Sequence, residues 1–176
     1  DRYASRGLGD VYKRQDYFSA LMSGHRIYFA SDFHLGAPNR EASLEREKKI
    51  VRWLDTIKQD ATEIFLLGDI FDFWFEYKRA VPKGFVRLLG KLAEIRDSGI
   101  PIHVFVGNHD LWMFGYFEEE LGIPVYHQPK VFERGGKKLF LGHGDGLGPG
   151  DHKFKFYKKL YVSKICQWLY GCLLYT

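Results

Sequence analysis

Side chains with metal-binding chemistry lie at four places, each just past a short apolar run: Asp32 and His34, Asp69, Asn108 and His109, and His143. Carboxylates, imidazoles and one neutral amide oxygen make a mixed oxygen and nitrogen donor set, suited to borderline divalent ions such as Mn²⁺, Fe²⁺ or Zn²⁺. A carboxylate such as Asp69 can bridge two ions, and two ions about 4 Å apart clamp a phosphate and activate water for in-line attack. Taken singly, each residue would usually be structural, an ordinary strand-end histidine or turn carboxylate. Their recurrence at successive strand ends is what points to a site.

For these residues to meet, the apolar runs must be strands whose carboxyl ends face one cleft. Residues 27–30, 63–67 and 102–106 read as such strands. If the first stays extended through Phe33, the pleat turns Asp32 and His34 to the same side. A helix is expected over about 41–58, with Leu44, Ile50, Val51, Leu54 and Ile57 on one face and charges on the other. Pro82 is expected to open a second helix, marked by Phe85, Leu88, Leu89, Leu92 and Ile95 and ending near Gly99. The repeated order of strand, polar turn and helix predicts a mainly parallel α/β sheet.

Between Asp69 and Pro82 the segment 70–77 alternates Phe71, Phe73 and Phe75 with Asp72, Trp74 and Glu76, as a strand edge or a loop packed over the site. Beyond the third strand, 112–121 reads as a short helix with Glu118, Glu119 and Glu120 in solvent. Residues 125–126, 131–133 and 138–141 read as short strands, the last two joined by the turn Arg134-Gly135-Gly136-Lys137. The final segment carries Phe154, Tyr157, Leu160, Tyr161, Ile165, Trp168 and Leu169 on a helical stripe flanked by Lys153, Lys155, Lys158, Lys159 and Lys164, a basic amphipathic helix.

Composition bounds the reading. At 176 residues, 17% aromatic, the chain is rich enough in large apolar groups to exclude intrinsic disorder. Its net charge of +4 is uneven: residues 151–176 carry all of it, which argues for a basic C-terminal face and against a general nucleic-acid surface. Cys166 and Cys172 form no disulfide framework, and no apolar stretch has membrane-spanning length, so a reduced, cytoplasmic setting is expected. The first 21 residues show neither an apolar period nor a secretory pattern. Met22 is the expected native start, with 1–21 a non-native or disordered leader and Cys172 to Thr176 a second foreign stretch.

The motifs SDFHLG, LLGDIFDFW, VGNHD and LGHGD stand in the order and spacing of the calcineurin-like metallophosphoesterases, whose pattern runs D-x-H, G-D, G-N-H-[DE], G-H and a final G-H-x-H. The resemblance spans Arg26 to about Trp168. Within the family, FDFW, HGD and the basic aromatic helix most resemble the bacterial UDP-2,3-diacylglucosamine pyrophosphohydrolases of lipid A biosynthesis.

The resemblance implies an α/β metallophosphoesterase fold, an α/β/β/α sandwich whose C-terminal strands are missing, with ligands at strand ends. It implies that Asp32 and His34 bind a first metal, that Asp69 bridges, and that Asn108 and His143 bind a second, the pair being Mn²⁺. His109 then contacts the phosphate or assists the leaving group. Asn108, His109 and Asp151 are the expected substrate contacts. The implied reaction is hydrolysis of UDP-2,3-diacylglucosamine to the acylated sugar phosphate and UMP, by a protein held peripherally at the inner leaflet. The organisation implied is a core over 22–150 and the start of a helical insertion over 151–176.

Two departures qualify this. Proteobacterial members of the subfamily tend to have Arg where His109 stands, and no G-H-x-H follows His143, since His152 lies in another context. A truncated copy with three protein ligands per metal is therefore expected. The alternatives are a phosphoesterase for a soluble substrate and a non-catalytic fragment. Asp72, Asp110 and Asp145 either orient ligands or cap turns, and His25, His103 and His127 are expected in core or surface roles.

Overall fold

The computed structural model describes residues 26–77, 80–146, 148, 150 and 152–173; the expected leader, His25 and Asp151 lie outside them. Strands β1 (Arg26–Ala30), β2 (Ala61–Leu67), β3 (Ile102–Phe105) and β4 (Val125–Tyr126) form one parallel sheet in chain order. Helices α1 (Arg40–Ile57), α2 (Val86–Asp97) and α3 (Tyr116–Leu121) make the crossovers. The chain is thus α/β with a parallel sheet.

Side-chain alternation divides the sheet's two faces. Ile64, Leu66, Ile102 and Val104 meet Ile50, Leu54 and Ile57 of α1, Leu88, Leu92 and Ile95 of α2 and Phe117 of α3 in one buried cluster. Their neighbours Phe65 and Phe105 face the opposite way and meet Phe132 at ring distances of 5.0 and 6.2 Å. Phe132 belongs to a separate antiparallel hairpin, β5 (Lys130–Arg134) and β6 (Lys137–Leu141), closed by Gly135 and Gly136, whose φ angles are both positive. The described residues therefore stack as helices, parallel sheet and a two-stranded second layer.

The hairpin is held to the sheet by more than aromatics. Arg134 grips Glu63 through two bonds of 2.6 Å, and His103 joins Glu63 at 2.8 Å and the Tyr126 hydroxyl at 3.2 Å. The Arg134 fork, chiefly, and then His103 hold the Glu63 carboxyl below its usual range, while burial lowers the His103 pKa. Both shifts act in the same direction. A depressed carboxyl contributes stability above its unfolded pKa that is lost as pH falls through the folded one, and a depressed imidazole loses stability as pH falls below about 6.5. Denaturant unfolding should therefore show falling stability from pH 7 to pH 4. Glu63→Gln should cost about 2 kcal/mol at pH 7 and remove only the part of the fall below the ordinary Glu pKa. The His103 part should persist or steepen, because Glu63 is the group that raises that imidazole.

Several element ends differ from expectation, each for a local reason. Pro82 does not open α2, because Phe85 takes a left-handed conformation (φ 58°) that no helix contains, with its ring 4.8 Å from that of Phe71. The first amides of α2 are instead capped from α1: Arg87 and Leu88 donate to Glu47 Oε1 at 2.9 and 3.0 Å. Helix α3 starts at Tyr116 rather than Trp112, because Glu76 Oε2 accepts from the amides of Phe114, Gly115 and Tyr116 and fixes the start there.

The expected single C-terminal helix is two, α4 (His152–Tyr161) and α5 (Lys164–Leu173), broken where Ser163 Oγ accepts from the Cys166 amide and caps the second. They rest on the aromatic segment 70–77. Trp112 Nε1 donates to the Tyr161 carbonyl at 2.9 Å, and Tyr170 lies 5.0 Å from Phe75 and 4.9 Å from Trp112. That segment is a packed loop. Phe71 and Trp74 are fully buried together while Phe73 is half exposed, so the alternation predicted for it does not hold.

Candidate metal centre

Strand β1 ends at Ala30, and the backbone then leaves the extended form: Asp32 has φ 59° and His34 φ 44°. The pleat therefore does not align them; paired left-handed turns do. Asp69, just past β2, has φ 53°. A left-handed non-glycine residue costs on the order of 1 kcal/mol or more, and such strain collects where surrounding structure enforces it. Enforcement here is mutual, since the amides of Asp32, His34 and Leu35 donate to the carbonyls of Gly68, Asp69 and Ile70 at 3.1, 2.9 and 3.0 Å.

The glycines beside these residues make room. A Cβ on Gly68, itself at φ 94°, would lie 2.7 Å from His143 Nδ1 and 2.8 Å from the Gly107 backbone, and one on Gly107 would strike the Asp69 carboxylate. The turns after β2 and β3 thus touch backbone to backbone. They are joined by Asp110, fully buried, whose carboxylate accepts from the amides of Gly107 (2.7 Å), Ile70 (2.9 Å), Asp69 (3.3 Å) and Phe71 (3.4 Å). Burial pushes the Asp110 carboxyl above its usual range despite these donors.

Around Asp69 the side chains converge. His143 Nε2 lies 3.3 Å from Asp69 Oδ2 and 3.2 Å from Asn108 Oδ1, and His34 Nε2 lies 3.8 Å from both Asp69 Oδ2 and Asp32 Oδ1. The His109 amide donates to Asp69 Oδ1 at 2.9 Å. Two donor clusters result, His34 with His109 and Asp32 with His143, and both contain Asp69, each spanning no more than 4.8 Å.

Burial works against ionisation of Asp69, but the His143 imidazole and the His109 amide outweigh it and keep the carboxyl below its usual range. In return the Asp69 carboxylate pushes His143 up to about 9. The donor set fits a cation. His143 Nδ1 is 2.8 Å from the Leu67 carbonyl, which holds the ring N–H on that side and turns Nε2 toward Asp69 and Asn108. A buried carboxylate flanked by imidazoles is a donor set suited to a divalent ion.

A model of the calcineurin-like phosphoesterase family matches residues 25–164. The chain belongs to that family. It is 45% identical over 120 residues to a protein of Porphyromonas gingivalis named UDP-2,3-diacylglucosamine hydrolase, covering 68% of this chain and 46% of that one. It is 30% identical over 148 residues to a Shewanella baltica protein of the same name, covering 84% and 59%. The chain spans about half the length of these curated relatives. Among solved structures, a protein of unknown function from Aquifex aeolicus is 20% identical with a TM-score of 0.44, over 80% of this chain and 74% of that one.

In this calcineurin-like phosphoesterase, β4 supplies no site residue, and His143 follows the antiparallel hairpin instead of a strand of the parallel sheet. Asp72 Oδ1 stands 3.4 Å from His109 Nδ1 and 3.7 Å from His34 Nδ1, facing both imidazoles. Asp110 touches backbone only, and Asp145 pairs with Lys158 of α4 at 2.6 Å, tying the loop after His143 to that helix. His103 serves the hairpin contact described above.

The motif reading missed the inward polar residues of α1, of which Ser43 and Arg46 hold the loop after β1 and Glu47 caps α2. Ser43, Arg46 and Glu47 all turn toward the fold, and Glu47 is 4% exposed, so the helix's charges are not confined to its outer face. A signal existed: they precede Ile50, Leu54 and Ile57 at helical spacing, on the face those residues bury.

Proposed function

We propose that this chain carries the catalytic centre of a two-metal hydrolase that cleaves the pyrophosphate of UDP-2,3-diacylglucosamine to 2,3-diacylglucosamine 1-phosphate and UMP, a step of lipid A biosynthesis. The observation that carries the reading is the single carboxylate, Asp69, common to two donor clusters. The names of the relatives supply the substrate class. When bound, two divalent ions, Mn²⁺ in this reading, supply positive charge for the phosphate oxygens and acidify water.

Asp69 would be shared by the two ions, with Asp32 and His34 assigned to one and Asn108 and His143 to the other, although the donor clusters group His34 with His109 and Asp32 with His143. His109 Nδ1 faces the Asp72 carbonyl at 3.1 Å, so a proton there donates to that carbonyl and leaves Nε2 for the substrate. From that position it contacts the phosphate or assists the leaving group. Beside His143 opens a groove of about 650 Å³ lined by Lys155, Lys158 and Lys159, a setting that favours an anionic substrate. Asp151 is assigned to the head group on sequence position alone.

Helices α4 and α5 expose Phe156, Tyr157, Leu160, Ile165, Trp168 and Leu169 beside the same lysines. No helix among the described residues is long and apolar enough to cross a membrane. An amphipathic surface of this kind suits peripheral attachment to the anionic cytoplasmic leaflet of the inner membrane.

The deciding assay is UMP release from UDP-2,3-diacylglucosamine with Mn²⁺ present. Release that disappears on chelation is the expected result. Cleavage of simple phosphodiesters with the acylated nucleotide sugar untouched would move the assignment to a soluble substrate.

A further inference from the structure

We infer that Arg46, which lies outside every motif, is a positioning residue for Asp32 and His34, acting through the backbone of the loop that carries them. The inference rests on the metal-dependent reading of the site. The loop has two polar edges. Its amide edge is satisfied by the turn after β2, through the bonds from Asp32, His34 and Leu35. Its carbonyl edge faces α1, where one guanidinium nitrogen of Arg46 lies 2.7 Å from the His34 carbonyl, 3.1 Å from that of Ala37 and 3.2 Å from that of Phe33.

Three carbonyls meet at one nitrogen because His34 (φ 44°) and Gly36 (φ 116°) wind the loop back on itself. Carbonyl dipoles aimed at a common point repel one another, so this winding needs a cationic donor at its centre. Among the described residues no carboxylate lies within ion-pair distance of Arg46, which leaves its charge directed at the carbonyls. One turn earlier on α1, Ser43 Oγ accepts from the Gly36 amide at 2.8 Å and holds the same loop. Without Arg46 the left-handed conformation of His34 loses its main support on the carbonyl side. The imidazole is then free to leave the position that puts Nε2 at 3.8 Å from both Asp32 and Asp69.

Mn²⁺ titration calorimetry on the whole chain tests this, with Arg46→Met, Arg46→Lys and thermal melts as variants and control. Electron paramagnetic resonance of the Mn²⁺-loaded samples reads the coupled metal pair directly. Arg46→Met should fold and bind Mn²⁺ about 10- to 100-fold more weakly, with the coupled-pair signal lost. Arg46→Lys keeps several N–H donors on one nitrogen and should recover part of both.

A folded Arg46→Met variant that binds Mn²⁺ as the unchanged chain does, with only its melting temperature lowered, overturns the inference. Should Arg46→Met not fold, Arg46→Lys decides: binding weakened at least about threefold, for a side chain one bond too short, supports it, and unchanged binding overturns it. No Mn²⁺ binding by the unchanged chain overturns the metal-dependent reading itself, and this inference with it.

Discussion

Asp69→Asn is expected to abolish Mn²⁺ binding at both sites and to cut hydrolysis at least about 1,000-fold, some 4 kcal/mol of transition-state stabilisation. Asn fills the same space and can still accept the His109 amide bond, so the fold should survive and the loss should be of charge alone. Calorimetric stoichiometry is the sharper readout. Because Asp69 belongs to both donor clusters, the variant should lose both ions; retention of one at full strength would refute the bridge.

The same carboxylate sets a pH dependence. It raises His143 to about 9 from an ordinary 6.5. In the metal-free protein a raised imidazole contributes stability that is complete below the unfolded pKa and is lost as pH rises through about 9. A metal must displace that proton. Mn²⁺ affinity should accordingly climb by up to about tenfold per pH unit from pH 6.5 toward 9, with proton release in calorimetry. In metal-free Asp69→Asn the His143 imidazole should titrate lower than in the unchanged chain, read by NMR, because the partner that holds the proton has gone.

Asp110→Ala should be the most destabilising single change near the site. It would strip the amides of Asp69, Ile70, Phe71 and Gly107 of their acceptor in a place water does not reach. Unsatisfied buried donors cost on the order of 1 kcal/mol or more each, partly relieved by relaxation, so a loss of about 4 kcal/mol in urea unfolding is expected. Asp110→Asn keeps one acceptor oxygen and should lose about half as much. A change below about 0.5 kcal/mol for the alanine variant would mean that the two turns hold together without the carboxylate.

The candidate donor side chains were legible in sequence because each sits immediately after its own strand or hairpin, so a local pattern carries it. Gly68 and Gly107 were legible as punctuation, but their reason was not. They make way for His143 and for the Asp69 carboxylate, 75 and 38 residues away along the chain. The roles of Glu47, placed among the outward charges of its helix, and of Glu76 were not legible for a related reason. Their acceptor oxygens serve amides 40 and 41 residues distant (Arg87, Leu88) and 38 to 40 distant (Phe114, Gly115, Tyr116), and no periodicity within their own segments records that.

By itself, the sequence determined the α/β order, the apolar faces of α1 and α2, the identity of the donor residues and the family to which they belong. Apolar period and strand-end chemistry are properties of neighbouring residues, and short-range pattern is enough to express them. Tertiary structure alone decided how the donors meet. Asp32 and His34 converge through left-handed turns rather than the pleat, Asp69 pairs most closely with His143, Arg46 and Asp110 brace the turns that carry them, and Glu47 caps the start of α2. Those contacts are hydrogen bonds between backbone and side chains far apart in the chain. Their partners are fixed only once burial removes water as the alternative acceptor or donor, and that condition does not exist until the layers have packed.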